Sequence, residues 1–499
     1  MIDSVPGAAS GLWTLLAETA ATAGDRPAVR DSTGETSYRE LTRTARRVAV
    51  WLRGRGIRRG DRVLVCASSE RVTVAVLFGC LRIGAVFVPF GPGVTVHQLG
   101  QVVADARPAV LLAASQEHLS LVPRAAGVLL GDLVSALPAD VDGDVVGAVS
   151  EDDAAVLLYT SGSTAAPKAV VCTHAQVLFA ARAVASRVGY RAEDVVFCRL
   201  PLSFDYGLYQ VFLCAMASAA LVLVPPGRDV HLLSEVCAAG ATVVPVVPSM
   251  AAMLVALARG RVLEGSRVRL FTNTGEHLPA ATAAALRHAF PAAGVQLMFG
   301  ITECKRVTVL EVDGDLARPG SVGLALPGTR VRVVDESGAE VPAGVVGEIS
   351  VYGPHVMAGY WRAPELTDQR FRVDAVTGER FLLTGDYGHL DDDGHLYFTG
   401  RRDHVFKHRG VRVSTVEIES AAMSLPGVRA AAVLPPVGTA GPVLCVAASG
   451  TGQEVLRGLR ELLGTARTPS QCRVVPALPL TANGKVDRRK LAELPEVRS

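Results

Sequence analysis

The stretch Leu157-Leu158-Tyr159-Thr160-Ser161-Gly162-Ser163-Thr164-Ala165-Ala166-Pro167-Lys168 leaves an apolar segment, crosses a string of small hydroxylated or glycyl residues and exits on Pro-Lys. The run Ala154 to Leu158 reads as a buried strand. Small side chains let backbone N–H groups converge on an anion, and the hydroxyls of Thr160, Ser161, Ser163 and Thr164 add donors around it. Lys168 brings a mobile positive charge to the same place. This is not the Gly-x4-Gly-Lys-Ser/Thr loop, because Pro167 precedes the lysine and Ala169 follows it. Ala169 to Cys172 again reads as strand, so the expected unit is strand–loop–strand, with no helix N-terminus facing the anion. An isolated Ser/Gly cluster would be an ordinary turn. The ordered hydroxyls, Gly162 and the Pro-Lys exit point to an anion site.

A chain of 499 residues is too long for one core and implies at least two domains. Hydrophobic residues at 49% and charged residues at 20% describe a soluble globular protein. A net charge of +2 gives no reason to expect nucleic acid or membrane as a partner. The nine cysteines are scattered without a Cys-x-x-Cys, and no signal peptide precedes them. They read as reduced thiols, and the expected location is cytoplasmic. The most apolar run, Val211 to Val224, is too short to span a bilayer, ends in Pro225-Pro226 and belongs to a core.

From the N-terminus the pattern alternates helices (around Leu12–Leu16 and from Tyr38) with short apolar strands such as Arg62 to Cys66 and Ala85 to Pro89. That alternation predicts an α/β layered architecture with largely parallel strands. A helix is expected over 174–187 and strands over 195–200 and 241–247. Gly347 to Gly353 and Gly359-Tyr360 read as a β-rich, turn-punctuated region, with Asp391-Asp392-Asp393-Gly394 as a hairpin turn. The last hundred or so residues alternate helices (415–424, 454–463) with strands (430–434, 443–447, 472–475).

Several groups carry chemistry. Asp205, among Phe204, Tyr206, Leu208 and Tyr209, is costly to bury unless a cation or hydrogen bonds meet it. It reads either as a helix N-cap or as a counter-charge for a ligand ammonium. Gly300-Ile301-Thr302-Glu303 follows an apolar strand, and a lone Thr-Glu there would carry no signal without the glycine and the strand. Lys305-Arg306 could hold a carboxylate or phosphate, or lie in an exposed turn. Asp386 in Thr384-Gly385-Asp386 is a turn residue or a two-oxygen acceptor. His404 and His408 have the spacing of a helical metal pair, but Val405, Phe406 and Gly410 read as strand and turn, so no metal is expected there. Gly484-Lys485 stands after Asn483 in a charged terminal turn.

These motifs, in this order from about Trp13 to Leu491, resemble the adenylate-forming superfamily of acyl-CoA synthetases, peptide-synthetase adenylation domains and luciferases. The chain departs from the family pattern at Ala165 and Ala169, where the family usually has glycine, and at Phe299, where it has tyrosine. The resemblance implies a large N-terminal AMP-binding domain (1–399) of layered α/β subdomains plus a β-rich subdomain. A hinge (400–403) turning at Asp403 and a small mobile α+β lid (404–499) follow. It implies ATP contacts from Thr160, Ser161, Gly162, Ser163, Thr164, Lys168, Phe299, Gly300, Asp386, Phe398 and Arg401, and Mg²⁺ on Glu303. Thr302 would touch the α-phosphate, Lys485 would enter the cleft during adenylation, and Lys407 would face it after rotation. The acid would be lined by Phe204, Asp205, Tyr206, Leu208, Thr274, Gly275, Glu276, Ile301, Lys305 and Arg306.

Phe-Asp-Tyr-Gly with Thr-Glu-Cys-Lys-Arg is similar to a narrower group of free-standing amino-acid adenylating enzymes of macrolactam-type pathways and some acyl-CoA ligases. The leading expectation is an AMP-forming ligase that adenylates an α- or β-amino acid and passes it to the phosphopantetheine thiol of a carrier protein. An acyl-CoA ligase using CoA is the alternative. A non-catalytic nucleotide-binding relative is the reading from a different class. ATP and Mg²⁺ are the implied cofactors.

Overall fold

The computed structural model describes residues 11–494 apart from 92, 140–148, 161–167, 226, 228, 375–376, 402–404, 409–410, 437–440 and 482. The two strands predicted around the hydroxyl-rich loop are present. Ala154–Thr160 pairs antiparallel with Lys168–Thr173, Thr160 opposite Lys168, at one side of a seven-stranded sheet. Val86–Phe90, Arg62–Cys66, Val110–Ala113 and Gly127–Leu129 continue that sheet in parallel. Their continuous apolar runs fit strands buried on both faces.

The second sheet has nine strands. Its middle is parallel: Ala220–Leu223, Val195–Cys198, Val243–Val246, Leu270–Asn273 and Gly294–Phe299 lie side by side. Antiparallel pairs close both ends. The helix Arg71–Ile83, buried from Thr73 onward, and the helix Asp205–Ala217 contribute to one continuous hydrophobic core that takes in residues of both sheets. Val211 to Val224 is core, divided between that second helix and the strand Ala220–Leu223. No helix among the described residues is long and apolar enough to cross a membrane.

The β-rich region forms a five-stranded antiparallel sheet whose long strand Arg380–Leu390 pairs with Leu396–Arg401 across the Asp391–Gly394 turn. Beyond it, the helices Thr415–Met423 and Gly452–Leu463 pack on the strands Val428–Leu434, Val443–Ala448 and Gln471–Val474 around a separate core of Val413, Ile418, Val433, Leu444, Val446 and Leu459.

In parallel α/β sheets, ligands gather at the carboxyl ends of strands. Here the register sets Val246, Asn273 and Leu297 abreast on three neighbouring strands. The segments that follow, 247–249, 274–276 and 300–306, therefore open on the same side.

Candidate functional site

Asp205 is the first residue of the helix Asp205–Ala217, 5% exposed, and does not cap it. The N-cap position is Phe204, with no side-chain cap, so the N-cap reading of Asp205 is corrected. Its carboxylate turns to Arg306, whose Nη1 stands 3.3 Å from Oδ2. Arg306 also lies over the Tyr206 ring, 4.5 Å from its centroid. The Tyr206 hydroxyl bonds to the carbonyl oxygen of Thr272 at 2.7 Å. Lys305 is fully buried with φ +61°, and its Nζ donates to Cys172 Sγ at 3.4 Å while standing 5.7 Å from the Tyr209 ring centroid. Among the described residues no carboxylate lies within ion-pair distance of Lys305. The exposed-turn reading of Lys305-Arg306 is thereby overturned. The chain keeps two cations and one anion out of water, and burying ions without partners costs several kcal/mol each.

Tyr206, Tyr209, Thr272, Met298 and Arg306 line one narrow cavity. Leu208 is buried but lies two residues along the helix from Tyr206, which turns it away from that cavity. Thr274, 2% exposed, keeps a hydroxyl without a hydrogen-bond partner. Gly300 is obligatory, because a Cβ there would meet the Lys305 carbonyl oxygen at 1.8 Å. That contact folds the 300–306 turn back on itself and brings Ile301, Thr302 and Glu303 close to the two cations.

Glu303 is held by the Tyr360 hydroxyl, which donates to Oε1 at 2.6 Å, leaving Oε2 for another partner. Phe299 stacks on Phe398 with centroids 5.5 Å apart and ring planes at 29°. Asp386 and Arg401 are cross-strand partners. Arg401 Nε is 3.4 Å from Asp386 Oδ1, yet no donor is aligned on that buried oxygen. Burial pushes the Asp386 carboxyl up to about 6, against the pull of Arg401 and Arg370.

Lys485, some 280 residues further along the chain than Phe204, places Nζ 5.4 Å from the Phe204 ring centroid. Its Cε would lie 3.5 Å from a Cβ on Gly275. The Glu276 carboxyl lies beside Lys485 and Arg488 of the terminal segment. Thr160 and Lys168 stand at the two roots of the hydroxyl-rich loop. Ser161, Gly162, Ser163 and Thr164 lie outside the described residues, as do Asp403 and His404. Lys407 belongs to the strand Val405–His408. His408 Nε2 meets the Thr468 carbonyl oxygen at 3.2 Å.

The profile of the AMP-binding enzyme family matches residues 16–361, and that of the AMP-binding enzyme C-terminal domain matches residues 417–485. The chain belongs to the AMP-binding enzymes. This AMP-binding enzyme is 30% identical over 498 residues to a plipastatin synthase polypeptide of Bacillus subtilis (strain 168), a match covering 98% of the chain but 19% of that relative. The chain thus spans about a fifth of the length of the plipastatin synthase polypeptides it matches. A feruloyl-CoA synthase of Amycolatopsis sp is 31% identical over 468 residues, 92% of this chain and 94% of that one. Among solved structures, VinN shares 42% identity with a TM-score of 0.71, covering 78% of this chain and 98% of its own. VinN has been solved with L-aspartate and with 3-methylaspartate. ATP-bound MatB from Rhodopseudomonas palustris shares 29% identity with a TM-score of 0.85, covering 97% and 99%. These matches place the chain in the adenylate-forming superfamily.

Some neighbours of the site in this AMP-binding enzyme escaped the sequence reading. The sequence sets Tyr209 beside Asp205 without giving it a part in the site, although a spacing of four residues on a helix puts the two on one face. Cys172 and Tyr360 had no such signal. Each meets its partner across 133 and 57 residues of chain, respectively.

Proposed function

We propose that this enzyme activates an amino acid carrying a second carboxylate, forming an aminoacyl-adenylate and pyrophosphate, and passes the acyl group to the phosphopantetheine thiol of a carrier protein. The observation that carries the substrate class is the buried set of Asp205, Lys305 and Arg306. An ammonium on the substrate would replace Arg306 at Asp205. A carboxylate would then take Arg306 and Lys305, whose ammonium meets a thiol and an aromatic face among the described residues. The L-aspartate and 3-methylaspartate bound by VinN support the same class.

The reacting carboxylate and ATP are both anions, so catalysis consists mainly of neutralising charge and aligning attack on the α-phosphorus. The orphaned Asp386 oxygen fits the two ribose hydroxyls, and the Phe299–Phe398 pair offers an aromatic wall for adenine. The roots of the hydroxyl-rich loop, with Lys168, would hold the departing phosphates. Glu303 Oε2 suits Mg²⁺, which would neutralise phosphate charge when bound. Lys485 would bridge the reacting carboxylate and the α-phosphate where negative charge grows. Thr302 would contribute a hydroxyl at the same phosphate. The lid, residues 404–499, would turn about Asp403 after adenylation to admit the thiol, bringing Lys407 to the cleft.

Supporting a carrier-bound thiol is the match along nearly the whole chain to one segment of the plipastatin synthase polypeptides. CoA as acceptor is a second reading, favoured by the full-length match to the feruloyl-CoA synthase. Substrate-dependent ATP–pyrophosphate exchange tests the substrate class. Aspartate-type acids should support exchange, while monocarboxylic amino acids and plain acids should support little. Equal exchange with plain acids would overturn it.

A further inference from the structure

Lys485 is carried by a tight turn. Thr481 N donates to the Lys485 carbonyl oxygen at 2.7 Å, and Gly484 N donates to that of Thr481 at 2.9 Å. Lys485 N donates to Thr481 Oγ1 at 3.2 Å. A β-bridge between Leu480 and Val486 closes the base. These bonds join residues 480–486 to one another and do not fix where Lys485 sits relative to the reacting groups.

Two residues of the large domain touch the turn on either side of the lysine. Ser249, at the start of the helix Pro248–Ala258, donates its hydroxyl to the Gly484 carbonyl oxygen at 2.6 Å. Gly484 has φ +75°, and a Cβ there would meet Val247 Cγ2 at 2.9 Å and Ser249 Oγ at 3.0 Å. On the other side, the Glu276 carboxyl lies beside Lys485, Arg488 and Val486 of the terminal segment. Arg488 is itself anchored in the lid by Glu419 at 2.8 Å and by the Val433 carbonyl oxygen at 3.2 Å. Ser249 and Glu276 sit at the carboxyl ends of neighbouring parallel strands, so the two contacts share one rigid base.

We infer that Ser249 and Glu276 form a two-point latch that holds Gly484 and Val486 and so registers Lys485 in the adenylate-forming arrangement of the lid. They are positioning residues, since neither needs to touch a reacting atom. A misplacement on the order of 1 Å in such a group costs up to about a hundredfold in rate. The inference rests on the assignment of Lys485 to the first half-reaction.

The test uses the full chain with the exposed Cys237 replaced by serine. Dyes on Val262→Cys and Leu462→Cys, one position in each domain and both exposed, report the lid distance in the presence of ATP and Mg²⁺. Exchange of pyrophosphate with aspartate and ATP is followed in parallel. Ser249→Ala should deplete the short-distance population and lower exchange kcat roughly tenfold or more, with KM for ATP little changed. Ser249→Thr, which keeps the hydroxyl, should restore both, and Gly484→Ala should reproduce the loss. A Ser249→Ala distance distribution identical to that of the parent chain would overturn the latch, as would failure of threonine to rescue. Lys485→Ala separates the two ideas. It should cut exchange by about 10²–10³-fold while leaving the lid distances in place, and unaltered exchange would defeat the lysine's assignment rather than the latch. Should the parent chain not exchange with aspartate, the substrate class fails, and the lid distances still decide the latch.

Discussion

Arg306 Nη1 and Asp205 Oδ2 stand 3.3 Å apart, with both side chains more than nine-tenths buried. The pair joins the first turn of the helix Asp205–Ala217 to the turn after the strand Gly294–Phe299. Removing one member of a buried pair leaves the other charge without compensation, at about 3–5 kcal/mol. Arg306→Met should therefore lower stability by roughly that amount in a urea titration. Adding Asp205→Asn should recover much of the loss, because the orphaned charge goes with it. Additive penalties in the double variant would show that the two side chains do not compensate each other.

Asp386 sets a pH dependence. Burial lifts its carboxyl to about 6, with Arg401 and Arg370 pulling down. Two ribose hydroxyls would donate to the anion, so bound nucleoside favours the ionised form. Affinity for adenosine, which has no phosphate of its own to titrate, should be full above about 6 and weaken as pH falls through that value. Asp386→Asn should bind weakly and without this pH dependence in calorimetry. For the ligand-free fold the sign is opposite. A raised carboxylate makes the native state hold its proton longer than the unfolded chain, so this group costs stability as pH rises from the ordinary carboxylate range to about 6.

Tyr360→Phe removes the hydroxyl that orients Glu303 through Oε1. Partners that orient a metal-binding carboxylate are worth roughly 10–100-fold in metal affinity or activity. The Mg²⁺ concentration for half-maximal pyrophosphate exchange should rise by about that factor, with KM for the acid unchanged. A magnesium titration superimposable on that of the parent chain would remove Glu303 from the metal.

Lys485→Ala should reduce pyrophosphate exchange by about 10²–10³-fold, the size of effect seen when one donor to a developing anion is lost. The melting temperature should stay within a few degrees of the parent value, since the lysine lies in a turn outside the lid core.

Much of this was legible because it is local. Short continuous apolar runs marked the strands on either side of the hydroxyl-rich loop, and the helix expected over 174–187 runs His174–Val188. The strand predicted over 195–200 ends earlier, at Cys198, and Arg199 beyond it pairs with Asp229. Gly-x-Thr-Glu marked a turn that proves to require glycine, with Lys305 packed against it. What stayed hidden depends on contacts between distant segments. Asp205 at a helix start looks like a cap until Arg306, a hundred residues later, is seen to claim its carboxylate. Lys305-Arg306 looks like surface because adjacent cations usually are; here Tyr206, Tyr209 and Cys172 enclose them. Glu276 shares a loop with Thr274, but only the terminal segment shows that it faces the lid.

The central claim is that Asp205, Lys305 and Arg306 together select an acid bearing both an amine and a second carboxylate. It is tested most directly by kcat/KM in ATP–pyrophosphate exchange for aspartate against its two mono-amides, asparagine and isoasparagine. Aspartate should exceed both by at least tenfold, and the advantage should shrink to near unity over the amide that keeps its reacting carboxylate when Lys305→Met and Arg306→Met are combined. Exchange that is equally fast with that amide, in the unaltered enzyme, would contradict the account.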